Sequence, residues 1–300
     1  EQIGPDRVSV SGARGLGRTS TYKASITYDA GWRATALIPI IGLESAAKAQ
    51  RLGEELFTRT SAMLRQSKLP PYTRTRCDVI GGEGPGATTS LCRLVADHPD
   101  QAGAALLVRE QSSGISHMSV GISLSLNAAV RPVQRIAGFL VPKSLVSQTV
   151  TVDGANVPFL SKTNAVVNEQ NAPATTLPAL PDDVDPEQTV PLILLAWARS
   201  GDKGNLFNVA VIARKPEYLP YIAAALTPEI IGKHYGSLLN AGPSLPVERF
   251  IAPGLSALNF VVGDSMDGGV LASTSIDPVA KGMAQLLLDF PIPVRAGLFD

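Results

Sequence analysis

Two cysteines and three histidines stand among 300 residues. Cys77 and Cys92 are too few for a disulfide framework and read as free thiols of a reducing compartment, with one mutual bridge as the alternative. His98, His117 and His234 are isolated. No metal-ligand spacing links them to each other or to the cysteines, so no metal site is expected. No Gly-x-Ser-x-Gly elbow marks a hydrolase nucleophile. No apolar run approaches the roughly 20 residues that span a bilayer, and residues 1–7 hold no apolar signal core. Charge of one sign is also lacking, with Lys+Arg and Asp+Glu at 26 each. That balance argues against nucleic acid or an anionic membrane as a partner. These absences together predict a cytoplasmic protein with no cofactor.

Enough apolar material is present to fill ordinary cores, at 45% of the chain. Its length suggests two domains of roughly 150 residues. Residues 22–28 and 32–40 alternate apolar with polar or small positions, and Asp29, Ala30 and Gly31 between them read as a hairpin turn. Apolar residues at helical spacing predict a helix over 44–66, stopped by Pro70 and Pro71, which lack the N–H a helix needs. Strands are predicted near 73–80 and 90–96, a helix over 99–111, and strands over 118–126 and 134–141. From the strand at 32–40 onward the order is β-α-β-β-α-β with one strand left over, a split βαβ arrangement. From 153 to 188 prolines recur and no apolar period lasts, which reads as a linker or extended arm. A second unit then offers strands at 192–198, 207–213, 249–252 and 258–262. Helices are predicted over 217–226, 228–235 and 277–288. The fold expected is α+β: two ferredoxin-like α/β sandwich domains, 1–150 and 190–300, joined by a Pro-rich linker over 151–189.

The densest polar cluster connects two apolar strands: Arg199, Ser200, Gly201, Asp202, Lys203, Gly204 and Asn205. Gly201 and Gly204 permit close backbone approach. Successive amides in such a turn can form an anion-binding concavity, with Arg199 or Lys203 supplying charge. Asp202 and Asn205 would orient those cations or a substrate hydroxyl. The alternative is a structural turn in which Asp202 and Asn205 bond their own backbone. The glycine spacing is not that of a phosphate-binding Walker loop. Asp267 opens a second tight turn with Gly268 and Gly269, which lies beside the first if both occupy one rim of a sheet. The glycine-rich stretch 12–18 precedes strand-like sequence, so a hairpin loop fits it better than a dinucleotide fingerprint. Residues 81–86, with Glu83 and nearby Cys77, form a loop that could cover a ligand or simply cross between strands. His234 stands at the end of a predicted helix, where it could touch a ligand but where the helix dipole also favours a histidine.

At these positions the chain resembles a known family. Residues 195–205, then 208–213, 258–260 and 267–269, resemble the C-terminal ferredoxin-fold domain of the acyclic terpene utilisation (AtuA-like) proteins. Residues 7–12 and 23–28 resemble the later part of that family's core. The resemblance implies a role in breakdown of acyclic terpenes or related branched acids at the acyl-CoA level, without a settled reaction or catalytic residue. It also implies a large N-terminal core missing here, supplied by a separate chain or removed. No Met-Lys-Met biotin-attachment sequence occurs, so a biotin carrier is not expected. Two functions follow. One is binding of an anionic or acyl-CoA ligand at Arg199 and Lys203. The other is a non-catalytic module that pairs with a partner core or with itself, as a homo-oligomer, through open sheet edges.

Overall fold

The computed structural model describes residues 2–12, 19–84, 86–158, 176–239 and 241–299. The chain divides into two compact units, Glu1–Ile26 with Ala137–Thr176, and Thr27–Ile136 with Leu177–Asp300.

The larger unit takes in β1 (Thr21–Ile41) from Thr27 onward, followed by α1 (Ser45–Gln66), β2 (Arg74–Gly81), β3 (Thr89–His98), α2 (Gln101–Glu110) and β4 (Leu126–Pro142) as far as Ile136. Its sheet runs β2-β3-β1-β4. The two central strands pair antiparallel from Trp32 opposite His98 to Ile41 opposite Thr89. Side chains alternate across a sheet. Ala34, Ala36, Ile38 and Ile40 of β1 and Cys92, Leu94 and Ala96 of β3 therefore share one face. That face packs on Leu52 and Leu56 of α1 and Leu107 of α2.

Two sequence readings need correction here. No hairpin interrupts residues 29–31, because β1 runs through them as one strand. Gly31 adopts φ 96°, and a Cβ there would stand 2.6 Å from the His98 carbonyl oxygen. The glycine thus serves close approach to β3 rather than chain reversal. The extra strand at 118–126 is also absent, apart from a single bridge between Ile40 and Ile122. That segment is tied to β1 by single bonds: the Ile41 N–H donates to the Gly121 carbonyl, the Ser123 N–H donates to the Pro39 carbonyl, and the Leu37 N–H donates to Ser125 Oγ.

The same unit continues with β5 (Val184–Pro191), β6 (Ala196–Asp202), β7 (Phe207–Ala213), α3 (Leu219–Ala225), α4 (Pro228–Leu238), β8 (Val247–Ala252), β9 (Ala257–Val262), α5 (Met283–Leu287) and β10 (Pro291–Arg295). Two hairpins form a sheet in the order β6-β7-β9-β8, and β5 pairs with β10 as a separate ribbon. Val209, Val211, Leu258 and Phe260 face Ile222, Ile231, Tyr235 and Leu287 in a second core. Tyr235 is fully buried and its hydroxyl donates to the Met283 carbonyl at 2.9 Å.

Three further differences concern this part. Leu192–Leu195 form a helical turn rather than the start of a strand. Helix formation over 277–288 is confined to Met283–Leu287. The Asp277 carboxylate accepts from the Gly282 amide at 2.6 Å, holding the preceding residues as a turn. Finally, β5 occupies the end of the stretch read as linker. Its pattern is hidden because Pro186 and Pro191 lie in it, and prolines suit only strands with a free edge. Residues 159–175 of that stretch and the glycine-rich positions 13–18 lie outside the described residues.

In the smaller unit, Val150–Val152 and Ala155–Val157 form a hairpin. Asp153 and Gly154 both take positive φ, at 48° and 81°. This is the turn whose twist matches paired strands. Tyr22 lies beneath the Lys143 ammonium, 5.0 Å from ring centre to Nζ.

Candidate functional site

The polar cluster 199–205 begins inside a strand. Ser200 and Gly201 pair with Val209 and Asn208, so they are part of β6 rather than of the turn. Alternation sends Ser200 to the helix-covered face and Arg199 and Gly201 to the outer one. Ser200 Oγ accepts from the buried Ala284 amide at 2.8 Å and lies 3.4 Å from the Lys281 carbonyl. It is a structural link between β6 and the α5 region.

Two amides of the turn are already engaged. The Asp202 N–H donates to the Val279 carbonyl at 3.1 Å and the Lys203 N–H to the Leu206 carbonyl at 2.6 Å. Asn205 does not orient a cation. Its Oδ1 accepts from the Gly268 amide at 2.7 Å, and its Nδ2 donates to Asp264 at 3.4 Å. The two glycine-containing turns are thus docked on each other, with Gly269 packed on the Gly204 backbone.

What remains open is charge over Gly201. A Cβ on that glycine would stand 2.7 Å from Lys281 Nζ and 3.9 Å from Lys203 Nζ. Two ammonium groups therefore share one bare patch of backbone. Lys203 donates to the Asp202 carbonyl at 3.0 Å, and neither lysine has a carboxylate partner among the described residues. Arg199 is exposed two residues before, on the same outer face, where Asn208 donates to Asn259 at 2.8 Å. Lys281 belongs to no motif, because it comes from a turn some 80 residues away in sequence.

The Asp267 carboxylate engages Arg74 and Thr274 rather than these lysines. The sheet face opposite α1 carries Arg33, Arg74, Arg76, Arg93, Asp78 and Asp97. Asp97 is buried and receives Arg33 at 2.7 Å and Arg74 at 3.3 Å. Arg33 also donates to the carbonyls of Ser273 and Ala272, both at 2.6 Å. Arg93 bridges Asp78 and the Thr274 carbonyl. Arg74 grips Asp267 through both its carbonyl and its carboxylate. Asp267 accepts in addition from the Thr274 amide and hydroxyl. Burial pushes its carboxyl up, but the Thr274 and Arg74 contacts outweigh that and hold it below the usual range. A cleft of about 560 Å³ runs along this face, lined by Arg76, Cys77, Asp264 and Thr274 among others. The alternation Arg74, Arg76, Asp78 and Arg93, Asp97 was present in the sequence as the polar face of two strands.

The thiols of Cys77 and Cys92 lie 3.9 Å apart and are unbonded. A hydrogen bond from Cys92 lowers Cys77, while that bond and burial push Cys92 up. His98 Nδ1 and Nε2 sit 2.9 Å from the carbonyls of Asp100 and Pro70. His234 Nε2 sits 3.1 Å from the Leu286 carbonyl. No group of three potential metal ligands occurs among the described residues. No described helix is long and apolar enough to cross a membrane.

Fold and site together define an α+β protein with a cation-rimmed sheet edge and an arginine-lined sheet face. The family described as acyclic terpene utilisation family protein AtuA matches residues 1–152, and the AtuA ferredoxin-like domain matches residues 190–293. The chain belongs to the AtuA family. No curated protein and no solved structure matches it.

Proposed function

We propose that this AtuA-family chain binds an anionic ligand of the acyl-CoA type in breakdown of acyclic terpenes or branched acids. The supporting observation is the pair of ammonium groups, Lys203 and Lys281, held over Gly201 without a carboxylate. Like charges so close repel, and an anion between them relieves the repulsion. Arg199 adds a third cation on the same face, while Ser200, Asp202, Gly204 and Asn205 shape the turn. Asp267 fixes the neighbouring loop through Thr274 and Arg74. The β-α-β-β-α-β succession of the first sheet, in the order β2-β3-β1-β4, supports reading it too as ferredoxin-like, with a Pro-rich connection to the second.

Thermal-shift titration with acyl-CoAs, free CoA and inorganic phosphate tests this. Wild type should gain melting temperature with the CoA compounds, and Lys203→Ala and Lys281→Ala should each lose most of the gain. Equal gains in all three proteins would remove the lysines from the site.

A second reading rests on the same outer face. Trp197 and Phe250 are about half exposed there, at 53% and 50%, and β6 is an edge strand. Exposed aromatics beside an open edge suit pairing with a partner core or with a second copy. Light scattering of wild type and Trp197→Lys would show it as a mass that falls with the substitution.

A further inference from the structure

We infer that a groove between α1 and residues 113–122 binds an amphipathic carboxylate, an apolar chain ending in a –COO⁻ group. The groove encloses about 640 Å³, within the range of roughly 300–1,000 Å³ of small-molecule sites. Its floor is Leu52, Met118 and Ile122. Leu52 and Ile122 are seated in the first core, with 2% and 8% of their surface exposed. The floor is therefore rigid and apolar. Gly114 helps to shape it, because a Cβ there would already stand 3.0 Å from Leu52.

The rim is of one predominant sign. Lys48, Arg51 and Arg59 recur along one side of α1, where residues three and four apart are neighbours. Arg51 is paired with Glu55 at 2.8 Å and Arg59 with Glu110 at 2.8 Å. Lys48 has no carboxylate within ion-pair distance among the described residues. Glu55 is the single acidic side chain lining the groove. An apolar floor calls for an apolar chain, and an unmatched ammonium at its edge calls for an anionic end. An alcohol of equal length would fill the floor and leave Lys48 unanswered. A phosphate without a chain would do the reverse.

This site is independent of the Lys203–Lys281 pair, which lies in another sheet. The test is isothermal titration of the full chain with straight-chain carboxylates of six to twelve carbons, below their micelle concentrations, and with the matching alcohols. Each added methylene should tighten binding about threefold to fourfold. Carboxylates should bind several-fold better than the alcohols. Lys48→Glu should abolish that preference while keeping the dependence on chain length. Ala47→Trp, at an exposed position on the groove wall, should abolish binding with its helical circular dichroism and melting temperature unchanged. Lys203→Ala should bind as wild type does. Affinity that ignores chain length, equal binding of alcohol and acid, unaltered binding by Ala47→Trp, or no heat at millimolar ligand would each overturn the assignment.

Discussion

The Gly268 amide donates to Asn205 Oδ1 at 2.7 Å, joining two turns that are 63 residues apart. The Asn205 carbonyl accepts in turn from the amides of Ser265 and Met266. Asn205→Ala removes the side-chain half of this junction and leaves the backbone half. A net hydrogen bond contributes about 0.5–1.5 kcal/mol, so urea melts should show a loss of that size. Faster hydrogen exchange at Gly268 should accompany it.

Gly201→Ala separates stability from binding. Gly201 has no positive φ, so alanine meets no backbone strain there. The atom it would strike is Lys281 Nζ, the far end of a flexible side chain. The lysine can swing aside at little cost. We expect a melting temperature within about 2 °C of wild type, by the scaling that makes 1 kcal/mol a shift of about 2–4 °C in domains of 150–250 residues. The ligand-induced thermal shift should shrink markedly. A large loss of stability with an intact ligand response would contradict this account.

Asp97 shows the cost of a buried carboxylate left without its cation. Its side chain is 3% exposed and held by two guanidinium groups. Arg33→Met removes one of them and also strips the donors from the Ala272 and Ser273 carbonyls. Breaking such a buried pair from one side costs about 3–5 kcal/mol. Arg33→Met with Asp97→Asn should recover part of that loss, measurable as a double-mutant cycle in urea.

His234 predicts a pH dependence of known sign. Burial lowers its pKa below the ordinary value, only partly opposed by the Leu286 carbonyl. The unfolded chain, with an ordinary histidine near 6.5, binds the proton more readily than the folded one. The stability due to neutral His234 is therefore complete above that pH and declines as pH falls through the lowered folded value. Melts between pH 5 and pH 7.5 should slope less steeply in His234→Gln than in wild type. Parallel slopes would rule His234 out as the source.

Much of this fold can be read along the chain, because local pattern and tertiary packing agree there. α1 shows its apolar stripe and ends at Gln66, shortly before Pro70, and β3 and β7 alternate plainly. Reading fails where one residue serves a distant contact. Gly31 looks like a turn glycine, yet it exists to let the His98 carbonyl approach. Asp277 looks like the start of a helix, yet it folds back on the Gly282 amide. The candidate site divides in the same way. Lys203 stood out because its neighbours are glycines and polar groups. Its companion Lys281 lies in an ordinary stretch, and only the fold brings the two together. Asn205 is recognisable by its polarity, but its partners Gly268 and Asp264 are distant in the linear chain.

Arg33 reaches from the first sheet to the Ala272 and Ser273 carbonyls of the loop beyond β9. With Arg74 on Asp267 and Arg93 on the Thr274 carbonyl, three guanidinium groups clasp one loop. Cutting the chain between the sheets would orphan donors on one piece and acceptors on the other. The two sheets of this unit are thus expected to melt together and to resist expression as separate halves.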